Sequence, residues 1–292
     1  MRRFFPVFAT LLLLSSAVVA QEKGPEKKEP ETAAEYVQRG IERYRKNDFD
    51  GAIADYDRAI LLEPNNAAAF TNRGSAKGRK GDSGGALADF QMAVTLNPND
   101  AMAYYGRALT LANKGDLDNA LTDYNIAISL NPTYAAAYNG RAVIRSKRGD
   151  QAGAIEDYDK VIALNPNAAE TYSNRGIARN AIGDYDGALA DYDKSISLNP
   201  NYAYAYNNRG NTRAKKGDMD GAIADYNKAM SLVPGPFPAA IANRGLAELS
   251  KGMDREAEED FRKAIDLSAR LKPMIEKESA KIMEERKARQ KP

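Results

Sequence analysis

The sequence predicts an all-α solenoid of antiparallel helix pairs, and three observations carry that prediction. The dipeptides Asn97-Pro98, Asn131-Pro132, Asn165-Pro166 and Asn199-Pro200 fall 34 residues apart, with Glu63-Pro64 and Val233-Pro234 extending the series in both directions. A fixed period in this range marks stacked supersecondary units. Within each period, apolar or small side chains recur at three- and four-residue spacing over positions 4–12 and again over 20–28, which is helical periodicity. Between the two stretches stands a breaker at position 15, supplied by Gly81, Gly115, Gly149, Gly183, Gly217 and Gly252, so each unit reads as two helices joined by a tight turn.

The elements follow in chain order. Arg2 and Arg3 precede an almost wholly apolar stretch from Phe4 to Val19, and small residues at Ala17-Val18-Val19-Ala20 stand where a signal peptidase would cut. Residues 1–20 are therefore expected to be a cleaved signal peptide, because the apolar run is short for a membrane span. Residues 21–32 hold no large apolar side chain and carry two prolines among mixed charges, the composition of a solvated, disordered linker. Units then occupy 33–66, 67–100, 101–134, 135–168, 169–202 and 203–236, and a seventh follows at 238–271 after a one-residue displacement at Gly235-Pro236-Phe237. The proline at position 32 ends each second helix by forcing the residue before it out of the α region. Residues 272–292 carry seven basic and four acidic side chains, and Leu271, Ile275 and Ile282 share one stripe, which predicts a final helix capping the last unit.

Composition narrows function. The chain has no Cys, no His and no Trp, which removes the usual zinc ligands, thiol nucleophiles, serine-histidine triads and disulfides. The reading is therefore of a protein that is not an enzyme and needs no cofactor or metal. Without residues 1–20 the chain has 40 basic and 40 acidic residues, a balance that argues against nucleic acid or an anionic membrane as the partner. No integral membrane segment is expected once the signal is removed, and the expected destination is the periplasm or the medium.

Four positions recur across all seven units. Position 4 is bulky (Tyr36, Phe70, Tyr104, Tyr138, Tyr172, Tyr206, Ile241) and position 8 is small (Gly40, Gly74, Ala108, Ala142, Gly176, Gly210, Gly245). Position 20 is always Ala, and position 24 is always aromatic (Tyr56, Phe90, Tyr124, Tyr158, Tyr192, Tyr226, Phe261). On these residues the chain resembles the tetratricopeptide repeat family. Antiparallel pairing about a turn at positions 15–16 sets position i opposite 31 − i, so bulky residues meet small ones, as close helix packing requires.

Two further patterns recur. Every unit has Arg at position 7 and Asp at position 23, for example Arg141 and Asp157, an Arg–carboxylate pair expected to fix helix register rather than to capture a ligand. The Gly-Asp-x-Asp-Gly turns at 183–187 and 217–221 suggest calcium at first sight. The spacing lacks the twelve-residue loop with its closing Glu, and Asp before a helix is the expected N-cap.

The resemblance implies a right-handed superhelix whose first helices line a concave face through positions 2, 5, 9, 12 and 13. That places Tyr105 and Asn113 of unit three, Asn139 and Lys147 of unit four, Ser173 and Asn180 of unit five, and Tyr204, Asn207 and Asn211 of unit six in a peptide-binding groove, with Arg45 and Arg79 at its N-terminal end. Asn and Tyr suit an extended peptide, whose backbone needs donors and acceptors. Relatives that clamp a terminal carboxylate carry Lys at position 5, and no unit here does. The expected partner is a protein or peptide segment. Self-assembly into a homo-oligomer by dimerisation or head-to-tail stacking is the alternative reading.

Overall fold

The computed structural model describes residues 30–289; the expected signal peptide at 1–20 and residues 21–29 of the linker lie outside the described residues. Among the described residues, fourteen helices form seven antiparallel pairs. The pairs are α1 Ala33–Arg45 with α2 Phe49–Leu62, α3 Ala67–Arg79 with α4 Ser83–Leu96, and α5 Ala101–Asn113 with α6 Leu117–Leu130. Next come α7 Ala135–Lys147 with α8 Gln151–Leu164, α9 Ala169–Ala181 with α10 Tyr185–Leu198, and α11 Ala203–Lys215 with α12 Met219–Ser231. The last pair is α13 Pro238–Lys251 with α14 Asp254–Leu267, followed by a 3-10 turn and α15 Lys272–Arg289. Each second helix packs on the first helix of the next unit, and α1 touches α3, α3 touches α5, and α9 touches α11. First helices that approach one another directly mark the inside of the solenoid's curve.

Local chemistry explains the boundaries. The turn residue at position 15 is left-handed throughout, with φ between 85° and 87° at the six glycines, and unit one meets the same need with Asn47 at φ 61°. Only glycine and, less readily, asparagine adopt that conformation cheaply. Just after it, Asp184 and Asp218 cap α10 and α12 by accepting the amides of Gly187 and Gly221, each at 2.9 Å. The second Asp of each turn, Asp186 and Asp220, pairs with Lys216 and Lys251 of the following unit. Both carboxylates of the Gly-Asp-x-Asp-Gly turn thus have structural partners.

The core is a stack of small residues and rings. The ring at position 24 lies where a Cβ at position 8 would intrude: one on Gly176 would stand 2.8 Å from the Tyr192 ring, and one on Gly210 2.7 Å from the Tyr226 ring. The rings of Phe90 and Tyr124 also fill the space over position 6 of the next unit, where a Cβ on Gly106 or Gly140 would stand 2.4 Å away. Position 27 faces these contacts and is Ala in five units, but unit five has Ser195, whose buried hydroxyl has no hydrogen-bond partner among the described residues. Ser195→Ala is expected to raise stability by about 1 kcal/mol, read as a higher urea midpoint; a lower midpoint would show that the hydroxyl is satisfied in solution.

The Arg ladder does more than the predicted pairing. Arg141 grips Asp157 with two parallel bonds, Nε to Oδ2 at 3.0 Å and a terminal nitrogen to Oδ1 at 2.6 Å, and the other units repeat this geometry. The third nitrogen crosses to position 25 of the preceding unit, reaching Asp57, Gln91, Asn125, Asp159, Asp193 and Asn227 at 2.5–2.7 Å. The same guanidinium stacks over the position 4 ring of its own helix, as Arg107 does on Tyr104 with 5.4 Å to the centroid. From unit two onward, each Arg therefore ties one helix to its mate and to the unit before.

A second cation at position 11 shares the buried Asp in five units: Arg43, Lys77, Arg145, Arg179 and Arg213 approach it to 2.8–3.0 Å. Unit three has Leu111 there and unit seven has Glu248. Glu248 is 7% exposed, and its Oε2 has no hydrogen-bond partner among the described residues. Burial, with Asp260 adding to it, pushes the Glu248 carboxyl above the ordinary carboxylate range, although Arg244 at 3.6 Å opposes the shift.

Helix α15 packs on α13, and Ile275 closes the end of the core beside Ile241, Ala242 and Ala264. Arg286 fastens the far end of α15 by donating to the Leu249 carbonyl at 3.1 Å and pairing with Asp254.

Candidate functional site

Two hollows open among the first helices. The N-terminal one, about 420 Å³, lies between α3 and α5 and is bounded by Tyr44 and Tyr134. Three residues expected in the groove meet there: Arg79, Tyr105 and Asn113. The floor is low because Gly74, Gly78 and Gly106 carry no side chains and the Phe90 ring lies beneath Gly74 and Gly106. Around it stand Met102 and Leu109, 50% and 42% exposed. Large apolar side chains left half in water beside a concave floor are what a bound segment would cover.

The polar groups of this hollow are held in place. Tyr105 packs between Tyr134 and Tyr124, with ring centroids 4.9 and 6.0 Å away. Burial raises the Tyr105 phenol and, with Tyr105 close by, pushes Tyr134 up to about 12, so both remain protonated donors at physiological pH. The Arg79 guanidinium rests on the Phe49 ring at 5.7 Å, which orients it while leaving the side chain exposed.

The C-terminal hollow, about 680 Å³, runs from α11 to α13 and is closed on one side by α15. Asn211, an expected groove residue, lines it and accepts the Tyr226 hydroxyl at 2.8 Å. Lys215, Asn243, Leu246 and Ser250 complete the wall, with Glu278, Lys281 and Glu285 from α15.

The remaining expected residues lie elsewhere. Ser173 and Asn207 are buried, at 1% and 7% exposure, so neither presents its side chain to a ligand. In units two and six, position 5 is a junction with the next unit: Asn207 accepts from Asn243 at 3.2 Å, and Thr71 donates to Asp100, the cap of α5, at 2.7 Å. Asn180 is occupied by the following unit, donating to Thr212 and accepting from Lys215 at 2.7 Å. Tyr204 is 58% exposed but turns edge-on to Phe237 at 5.4 Å and lines neither hollow. Asn139 is half-buried, and Lys147 and Arg45 are exposed; none of the three borders either hollow.

Several residues of the hollows were not anticipated from sequence. Met102, Leu109 and Leu246 occupy positions 2, 9 and 9, which the repeat frame places on the concave face. Tyr44 at position 12 carried the same signal. Tyr134 lies at position 34, outside any helix, and the α15 residues lie outside the repeat; neither has a signal in the repeat frame.

Tetratricopeptide repeat models match residues 71–135, 203–236 and 238–270, and a related model described as TPR repeat matches 40–81, 144–183 and 178–217. The chain belongs to the tetratricopeptide repeat family. This repeat protein resembles a tetratricopeptide repeat protein from Parabacteroides merdae at 24% identity and TM-score 0.61, over 86% of this chain and 98% of that one. It also resembles YrrB, described as a TPR protein with an unusual peptide-binding site, at 22% identity and TM-score 0.57, over 64% and 95% of the two chains. MamA from Desulfovibrio magneticus aligns at 23% identity and TM-score 0.54, over 57% and 94%. At these identities the likeness is one of fold. No curated protein sequence matches the chain significantly.

Proposed function

We propose that this repeat protein is an exported, non-catalytic scaffold that holds an extended segment of a partner protein along its concave face, anchored in the N-terminal hollow. The observation that carries this reading is the convergence of Arg79, Tyr105 and Asn113 with the exposed Met102 and Leu109 on one glycine-floored depression. Rigid aromatic walls bind without losing much side-chain freedom, and the polar groups can satisfy a peptide backbone. YrrB, a fold neighbour, is described as having a peptide-binding site of its own. Export rests on the Arg2-Arg3 start, the apolar run and the small residues before Gln21.

The test is selection of peptides from a displayed library on the purified chain, followed by affinity measurement on variants. Leu109→Asp places a charge in the hollow and is expected to weaken binding by about tenfold or more, roughly 1.4 kcal/mol, while Lys147→Ala changes it by less than about twofold. Selected peptides that bind Leu109→Asp as well as the native chain would move the site away from this hollow. Export is checked by N-terminal sequencing of the chain made in a Gram-negative host, where a start at Gln21 is expected.

A further inference from the structure

The repeat supplies its own reference for what each buried carboxylate holds. In unit four, Asp157 takes two bonds from Arg141 and a third from Arg145, whose same nitrogen also donates to the Gly153 carbonyl at 3.1 Å. Units one, five and six repeat this arrangement with Arg43, Arg179 and Arg213 on the carbonyls of Gly51, Gly187 and Gly221. In unit three the carboxylate of Asp123 is as buried as its counterparts, at 4% exposure, and Arg107 grips it with two bonds of 2.7 Å. The second cation is absent because position 11 is Leu111, and the Asn119 carbonyl receives no side-chain donor among the described residues.

A cavity of about 550 Å³ opens at that place, between α4, α5 and α6, on the side away from the concave hollows. Asp123, Asn119 and Arg107 line it together with Leu87, Leu111 and Ile126. Two more cations are missing from the same stretch: position 26 is Met92 in unit two and Ile126 in unit three, where the other units carry Arg58, Lys160, Lys194, Lys228 and Lys263. The surface there has exchanged three positive charges for carbon while keeping the buried carboxylate.

We propose that this cavity receives an arginine side chain from a partner protein. Its guanidinium takes the acceptors that Arg145 takes in unit four, the Asp123 carboxylate and the Asn119 carbonyl, and its methylenes lie along Leu87, Leu111 and Ile126. Two guanidinium groups on one carboxylate is the ordinary state of this chain, and Arg141 with Arg145 shows it beside a neutral position 25, Asn125, as Gln91 is here. The site is separate from the concave groove and does not depend on it.

The test titrates the native chain with N-acetyl-arginine amide while amide resonances are followed, with the citrulline analogue as an uncharged control of the same shape. Saturable shifts centred on Leu111, Asn119 and Asp123, about fivefold or more weaker with citrulline, are expected. Leu111→Arg supplies the guanidinium within the chain and should abolish the response and raise the melting temperature. If that variant does not fold, Leu111→Lys, patterned on Lys77 of unit two, replaces it. Equal shifts from both probes, shifts scattered over the acidic residues of all units, or a response that persists in the folded variant would each overturn the assignment.

Discussion

Replacing Asp157 by Ala is expected to destabilise the array by about 3 kcal/mol, the cost of breaking a buried ion pair from one side. The carboxylate is 3% exposed and holds both Arg141 and Arg145, so its loss leaves two guanidinium groups facing each other with little water to replace it. Stability in a repeat array is a sum of unit and junction contributions, so the loss should concentrate in unit four and its neighbours. Urea unfolding would show a lower midpoint, and hydrogen exchange would show faster opening of α7 and α8 than of α1 and α2. Asp159→Ala is the control, because that carboxylate is about half exposed and Arg175 keeps Asp191 when it is gone. Its expected cost is under about 1 kcal/mol. Equal midpoints for the two variants would refute the ladder as the main register device.

Glu248→Arg is expected to stabilise the chain at pH 7 by about 2 kcal/mol. It removes a buried carboxylate oxygen that has no donor and restores the cation that other units place on the shared Asp, here Asp260. Glu248→Gln isolates the charge effect. Because burial raises the folded-state pKa of Glu248, its contribution favours folding below the unfolded-state pKa and is lost as pH rises through the folded-state value. The gain from Glu248→Gln should therefore be largest near neutrality and fade below about pH 4. A pH-independent difference between native and Gln chains would mean that Glu248 titrates as an ordinary surface carboxylate.

The parts of this fold legible in sequence were those where residue identity is the physical requirement. Only Gly, or Asn47 in unit one, serves at the left-handed turn, and only Arg makes the forked grip on Asp157. The partner across each junction was not legible, because Asp57, Gln91 and Asn125 share an acceptor oxygen and not an identity. The site was harder for a different reason. A helical wheel puts Ser173 and Asn207 on the same face as Asn180 and Asn211, but how closely successive first helices approach is set by curvature, which no single helix encodes. The small or short side chains Thr71 and Ala242 at position 5 were the available hint that this position is enclosed. Met102 and Leu109 lie at concave positions 2 and 9, but an apolar side chain on an amphipathic helix reads as core until its exposure is seen.

The junction contact made by each position 7 arginine has a consequence for how such a chain changes length. From unit two onward its partner is an oxygen at position 25 of whichever unit comes before, so this link survives an exchange of units even where ring contacts such as Tyr124 over Gly140 do not. Excising residues 135–168 would set Arg175 against Asn125, an amide oxygen that already receives Arg141 at 2.7 Å. Duplication of a unit would be accepted on the same terms. Gene slippage in whole multiples of 34 residues therefore lengthens or shortens the groove while keeping the arginine link at each new seam.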